Sequence, residues 1–238
     1  MHVGFFSRVV LLALAAVSAL AAAACATTPT YRTAIPFTER QLVEAGGGVH
    51  GGGGVEIHSP ADINIVGGTA FGGASGFATF RVPQTDMMLF GAGSTTGTYG
   101  VVGDLGWGIT AGGQGGLRLD YHFQKDMWIA GELYGDYQFN TWGGAPQHRI
   151  GAIATLIIAE RLAGSFWLYA RPTTGIGLLL DADGSTDFSD PLQVITQMSE
   201  APVGLHVDLN RHLAVRVEGG IEPYRTGVVV GAALIGKY

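Results

Sequence analysis

The sequence predicts an all-β protein: an antiparallel up-and-down transmembrane β-barrel of about ten strands, with eight as the alternative count. Three observations predict it. Apolar and polar residues alternate through most of the chain beyond residue 40, the pattern of a strand with two unlike faces. Several alternating runs reach about ten residues or more, enough for a tilted strand to cross a bilayer, whereas strands of ordinary domains average about 5–6. Short and long connections also take turns along the chain, as in membrane barrels with short turns at one end and longer loops at the other.

In order, the strands fall near 46–57, 73–83, 87–98, 103–123, 127–139, 147–159, 164–181, 201–209, 212–222 and 226–238. The first and fourth are rich in glycine and weakest in pattern. Glycine costs backbone entropy in a strand but permits bends and close approaches. The alternative for Gly46 to Gly48 and Gly51 to Gly54 is a flexible linker. Alternation is cleanest in Leu117-Arg118-Leu119-Asp120-Tyr121-His122-Phe123. The next strand sets Met127, Ile129, Leu133, Tyr137 and Phe139 on one face, and Glu132, Asp136 and Gln138 on the other. Val203, Leu205, Val207 and Leu209 alternate with His206 and Asp208, and Leu213, Val215, Val217 and Ile221 with Arg216, Glu218 and Glu222. The last strand carries Val228, Val230, Ala232 and Leu234 on one face.

Short turns are expected at Pro83 to Asp86, Gln124 to Asp126, Glu160 to Ala163 and Asn210 to His212, and longer breaks at His58 to Gly72, Asn140 to Gln147 and Asp181 to Glu200. Both chain ends then lie at the short-turn end. Tyr121, Phe123, Tyr137, Phe139, Tyr224 and Tyr238 sit near strand ends, where membrane barrels carry aromatic girdles.

Composition fits this reading. Charged residues make up 13% of the chain, about half the usual share, and glycine, at 39 of 238 residues, is well above its usual ~7%. Beyond the leader no apolar run of about 20 residues could cross as a helix. A net charge of −6 without a Lys/Arg-rich patch argues against nucleic acid as a partner.

The charged faces predict a lumen network of Arg118, Asp120, His122, Glu132, Asp136, His206, Asp208, Arg216, Glu218 and Glu222. Mixed signs on one face read as a salt-bridged plug, since buried charges need partners; the functional alternative is a narrow polar pore. His122 with Asp120 and His206 with Asp208 have the base–carboxylate pairing that catalysis uses. No motif ties a Ser or Thr to either pair, so no catalysis is assigned. The acidic stretch Asp181 to Asp190 offers oxygen ligands but lacks the spacing of a calcium loop, and Leu192, Ile195 and Met198 could form an amphipathic turn on the rim. No cofactor or metal is expected.

Residues 1–24 read as a secretory signal, with Arg8 ahead of the uncharged apolar run Val9 to Ala24. The run ends in Ala22-Ala23-Ala24-Cys25, which resembles the lipobox of bacterial lipoproteins. The resemblance implies cleavage before Cys25 and its lipidation, then a periplasmic tether over 25–40 and a barrel domain over 41–238. Ala26, in place of Asp, implies sorting to the outer membrane. Cys25 is the only Cys, so no internal disulfide can form. The final strand, ending on Tyr238, resembles the terminal signal of outer-membrane barrels. Across 41–238 the chain resembles small outer-membrane β-barrel proteins in pattern. Implied partners are outer-membrane lipids and the barrel-assembly and lipoprotein-sorting machinery, with a structural or surface-contact role for the loops. The alternatives are a lipid-tethered soluble barrel holding an apolar ligand, and a lipid-modifying barrel enzyme.

Overall fold

The structure is a computed structural model that describes residues 43–59, 62–102, 106–124, 126–141, 146–181, 201–222 and 227–237. The expected signal, Cys25 and the tether lie outside these residues. The strands are β1 Val43–Ser59, β2 Asp62–Arg81, β3 Met87–Val102, β4 Trp107–Gln124, β5 Met127–Asn140, β6 Gln147–Ala163, β7 Phe166–Ala170, β8 Thr173–Asp181, β9 Val203–Asn210, β10 Leu213–Glu222 and β11 Gly227–Lys237.

From β1 to β6 and from β9 to β11 each strand pairs antiparallel with the next, β7 pairs with β9, and β1 pairs with β11, which closes the sheet. β7 and β8 both pair with β6 and form one stave in two segments, so the barrel has ten staves. The sequence reading had one unbroken strand over 164–181. Pro172 interrupts it, because proline has no N–H for the ladder. The stave stays attached at the break, where Leu156 N donates to Pro172 O at 2.9 Å and Arg171 N donates to Pro202 O at 2.9 Å.

Two further expectations are corrected. His58 to Gly72 is not a long break: β1 runs to Ser59, β2 starts at Asp62, and the two pair as far as Ser59↔Asp62. Cross-strand pairing holds as strand a stretch that local propensity reads as irregular. The turn placed over Glu160 to Ala163 sits later. β6 continues to Ala163, and Gly164, at φ +52°, makes the reversal that favours glycine. The carbonyl of Gly164 accepts from Arg161 Nε at 2.5 Å. The turn near Pro83 is held by Thr85, whose hydroxyl donates to Val82 O at 2.9 Å. In the Asn210 to His212 turn, His212 N donates to Asn210 Oδ1 at 2.8 Å.

The facing pattern decides what kind of barrel this is. Leu119 is 60% exposed and Val217 44%, and Leu133, Leu205 and Leu234 also face out. The residues that alternate with them are buried and largely polar: Arg118, Glu132, His206 and Arg216. Apolar outside and polar inside is the polarity of a barrel that spans a bilayer. β2, with 20 residues, and β4, with 18, are long enough to cross at a tilt. Of the predicted girdle, Tyr121 and Tyr137 face out; the side chains of Phe123, Tyr224 and Tyr238 lie outside the described ones. Tyr99 and Trp107, cross-strand partners near the long-connection end, add two exposed aromatics that the sequence reading had missed.

Candidate functional site in the lumen

Seven of the ten residues predicted for the lumen are buried there: Arg118, Asp120, Glu132, Asp136, His206, Arg216 and Glu218. Asp208 is partly exposed near the short-turn end of β9. His122 is exposed instead of buried, a departure from the expected network. Its facing follows the alternation of β4, but it lies two residues from the strand's end, where the barrel mouth opens to solvent. The side chain of Glu222 lies outside the described ones.

Among the described residues, three clusters of buried charge stand out. Arg118 stands opposite Glu132 on β5 and two residues from Asp120 on its own face. Arg118 Nε contacts Asp120 Oδ1 at 2.8 Å, Nη1 lies 3.7 Å from Glu132 Oε1, and the guanidinium covers the Trp128 ring at 4.5 Å. The second cluster centres on Glu218. Arg216 Nη2 donates to its Oε2 at 2.7 Å, Arg171 Nη2 to its Oε1 at 3.1 Å, and Tyr169 Oη to its Oε2 at 2.6 Å. Arg216 also lies 5.1 Å from the Tyr169 ring centroid. In the third, Asp136 accepts from Gln114 Nε2 at 2.9 Å and from Arg149 Nη2 at 3.2 Å. Charge-assisted bonds of this kind are the strong ones, and they offset a desolvation cost of several kcal/mol per buried ion.

Glycines make these meetings possible. Gly204 lies between Tyr169 on β7 and Glu218 on β10 in one cross-strand row. A Cβ on Gly204 would sit 2.3 Å from Tyr169 Oη, so only glycine lets the phenol lie across β9 to reach its carboxylate. Gly116 stands between Phe90 and Tyr134, whose rings meet edge to face at 5.8 Å. Gly73 likewise lies between His50 and Thr96, and His50 Nε2 reaches Thr96 Oγ1 at 2.8 Å.

The sequence reading missed Arg171, Tyr169, Trp128, Gln114 and Arg149. Arg171 precedes a proline and Arg149 follows the polar Gln147-His148, so neither sat in a clean alternation. Tyr169 and Trp128 carry no charge, so a search for charged faces passes over them. Pairing across the sheet, more than composition, would have placed them.

Among the described residues, neither suspected catalytic pair is seen beside a nucleophile. His206 Nε2 is 3.1 Å from Asp208 Oδ1, and His122 stands apart at the mouth. Thr96, the hydroxyl beside His50, is fully buried. Among the described residues no three His, Cys, Asp or Glu side chains gather as a metal site requires. The acidic loop considered for calcium and the amphipathic turn after it lie outside the described residues, apart from Asp181 at the end of β8.

The sequence matches no protein-family model and no curated protein. Solved structures of similar shape include an outer membrane channel from Pseudomonas putida F1, at 9% identity over 90% of this chain and 100% of that one, with a TM-score of 0.49. The transport unit of the autotransporter AIDA-I from Escherichia coli matches at 14% identity over 86% and 93%, with a TM-score of 0.34. A deletion mutant of the TodX monoaromatic hydrocarbon channel matches at 9% identity over 93% and 98%, with a TM-score of 0.25.

Proposed function

We propose that the protein is an outer-membrane lipoprotein, anchored through Cys25, whose small barrel is closed by its own ion pairs and serves a structural or surface-contact role without catalysis. The reversed polarity of the wall carries this reading: Leu119, Leu133 and Val217 face outward while Arg118, Arg216 and Glu218 are buried inside. A soluble barrel holding an apolar ligand would need the opposite arrangement. Outer-membrane lipids would cover the apolar band, and the barrel-assembly and lipoprotein-sorting machinery would deliver the chain. The lipid-modifying alternative lacks a reachable nucleophile beside His122 or His206 among the described residues.

The test uses outer-membrane fractions from cells fed labelled palmitate. Expected are incorporation that Cys25→Ser abolishes and a folded band that shifts on boiling in detergent. Palmitate retained in Cys25→Ser overturns the anchor, and a band indifferent to boiling overturns the barrel.

A further inference from the structure

The outward face of the wall is apolar along most of its height, and one basic side chain interrupts it. Of the side chains that alternate outward along the described strands, His148 is the one that carries a basic group. It stands at the long-connection end, where three staves finish together. His148 is the second residue of β6, and its partners, Phe139 on β5 and Leu180 on β8, each lie one residue from the end of their strands. Its ring lies 5.2 Å from the Phe139 ring, and Tyr137 Oη is 2.8 Å from its Nδ1. Nε2 has no hydrogen-bond partner among the described residues. One step toward the middle of the wall the surface turns apolar: Ile150 is 49% exposed and Leu178 43%, with Ile176 beyond them at 61%.

We propose that this corner of the outer wall binds the phosphate head group of an anionic lipid, with His148 Nε2 as the donor and the apolar surface below it against the acyl chains. Two arrangements of the imidazole suit an anion. In one the Tyr137 phenol donates to Nδ1 and the ring proton sits on Nε2; in the other the ring is protonated, Nδ1 donates to the phenol, and Nε2 keeps its proton. Tyr137 therefore orients the ring in either state. A phosphate oxygen answers the remaining donor with a charge-assisted bond, the strong kind, whereas an acyl chain would leave that donor unpaired at the full desolvation cost. The height fits the same guest, because aromatic and amphipathic side chains of membrane barrels gather at the head-group level. A lipid meets both parts of the corner with one molecule; a free anion meets the imidazole alone and has no use for Ile150, Leu178 and Ile176. The site rests on the membrane-barrel reading above and names the lipid chemistry for one edge of its apolar band.

The test uses the full chain folded in a neutral detergent with isotope-labelled histidine, and His148→Gln identifies the His148 imidazole resonance by its loss. Short-chain phosphatidic acid is titrated in, and the matching diacylglycerol and inorganic phosphate serve as the two comparisons. Phosphatidic acid should move the His148 resonance saturably, and the other two should not. His122 and His212, at the opposite end of the barrel, should stay still. Tyr137→Phe should weaken binding about fivefold, whereas Leu205→Val on β9 should leave it intact. Lipid retained in native mass spectra should fall in His148→Gln and return in His148→Arg. An equal response to inorganic phosphate overturns the lipid as the guest. Equal movement of His122 and His212 reduces the effect to general charge attraction and overturns the site. No response at His148, or retention indifferent to His148→Gln, in a chain that still shifts on boiling overturns the head-group site alone. A parent chain that does not shift on boiling removes the barrel and the site with it.

Discussion

β1 and β6 are each 17 residues long, yet β1 holds seven glycines and β6 holds one. β6 fills the lumen from its own side, with Ile153, Thr155 and Ile157 buried. On β1, Glu44 and His50 are the buried inward side chains among the described ones, and glycine receives what β2 sends across. A Cβ on Gly46 would lie 2.7 Å from the Phe77 ring, and one on Gly52 2.7 Å from the Phe71 ring. The difference teaches that a barrel interior can be filled from either stave of a pair. Where one stave is glycine, the neighbour's aromatic lies flat on its backbone and the strand's own sequence loses its two-faced pattern. Arg118, Glu132, Arg149, Arg171, Arg216 and Glu218 all belong to the part of the wall from β4 to β10.

The sharpest way to break this contrast is to strip the bulky side of its central acid. Glu218→Ala leaves Arg171 and Arg216 buried without their shared carboxylate, and should destabilise the folded barrel by about 3–5 kcal/mol, read as a lower urea midpoint. The triple change Arg171→Leu, Arg216→Met and Glu218→Leu should recover most of that loss, because an apolar trio of similar volume avoids desolvating charge. A triple variant as weak as Glu218→Ala would show that the network holds more than charge balance. Next in size is the outer face. Leu133→Arg places a cation on the apolar band near the middle of β5 and should cost about 2–4 kcal/mol in a bilayer, measured by unfolding in liposomes. The same change costing nothing there would mean that lipid does not cover this face.

The same division explains what could be read from sequence. Facing was legible in the second half of β4 and on β5, β9 and β10, where Leu119, Leu133, Leu205 and Val217 alternate with charged residues. It failed at His58 to Gly72, because Pro60 and the polar residues around it read locally as a break, while the pairing with β1 that makes most of this stretch a strand is nonlocal. The candidate lumen was legible in its charges but not in its partners. Alternation puts Glu218 inside, yet only the β7–β9–β10 register shows Tyr169 reaching it across Gly204. Alternation also gives the facing of His122 without its height along the barrel, and height is what exposes it.

The smallest effects test the glycine rule itself with one chemical change at two sites. Gly204→Ala puts a methyl where Tyr169 Cζ lies 2.4 Å away. The ring must leave, so its bond to Glu218 breaks; overpacking of this kind costs about 1–3 kcal/mol. Gly131 on β5 faces out, and a Cβ there meets nothing within 4 Å. Gly131→Ala should therefore be neutral or stabilise by about 0.4–1 kcal/mol, since it removes freedom from the unfolded chain without a clash. Adding Tyr169→Phe separates the two contributions to the Gly204→Ala loss. If the lost hydrogen bond dominates, Gly204→Ala should cost much less in a Tyr169→Phe background, because the phenol no longer has a bond to lose. If ring crowding dominates, the cost should persist. Equal costs at Gly204 and Gly131 would mean that the glycines serve strand bending alone, and that neighbouring side chains do not require them.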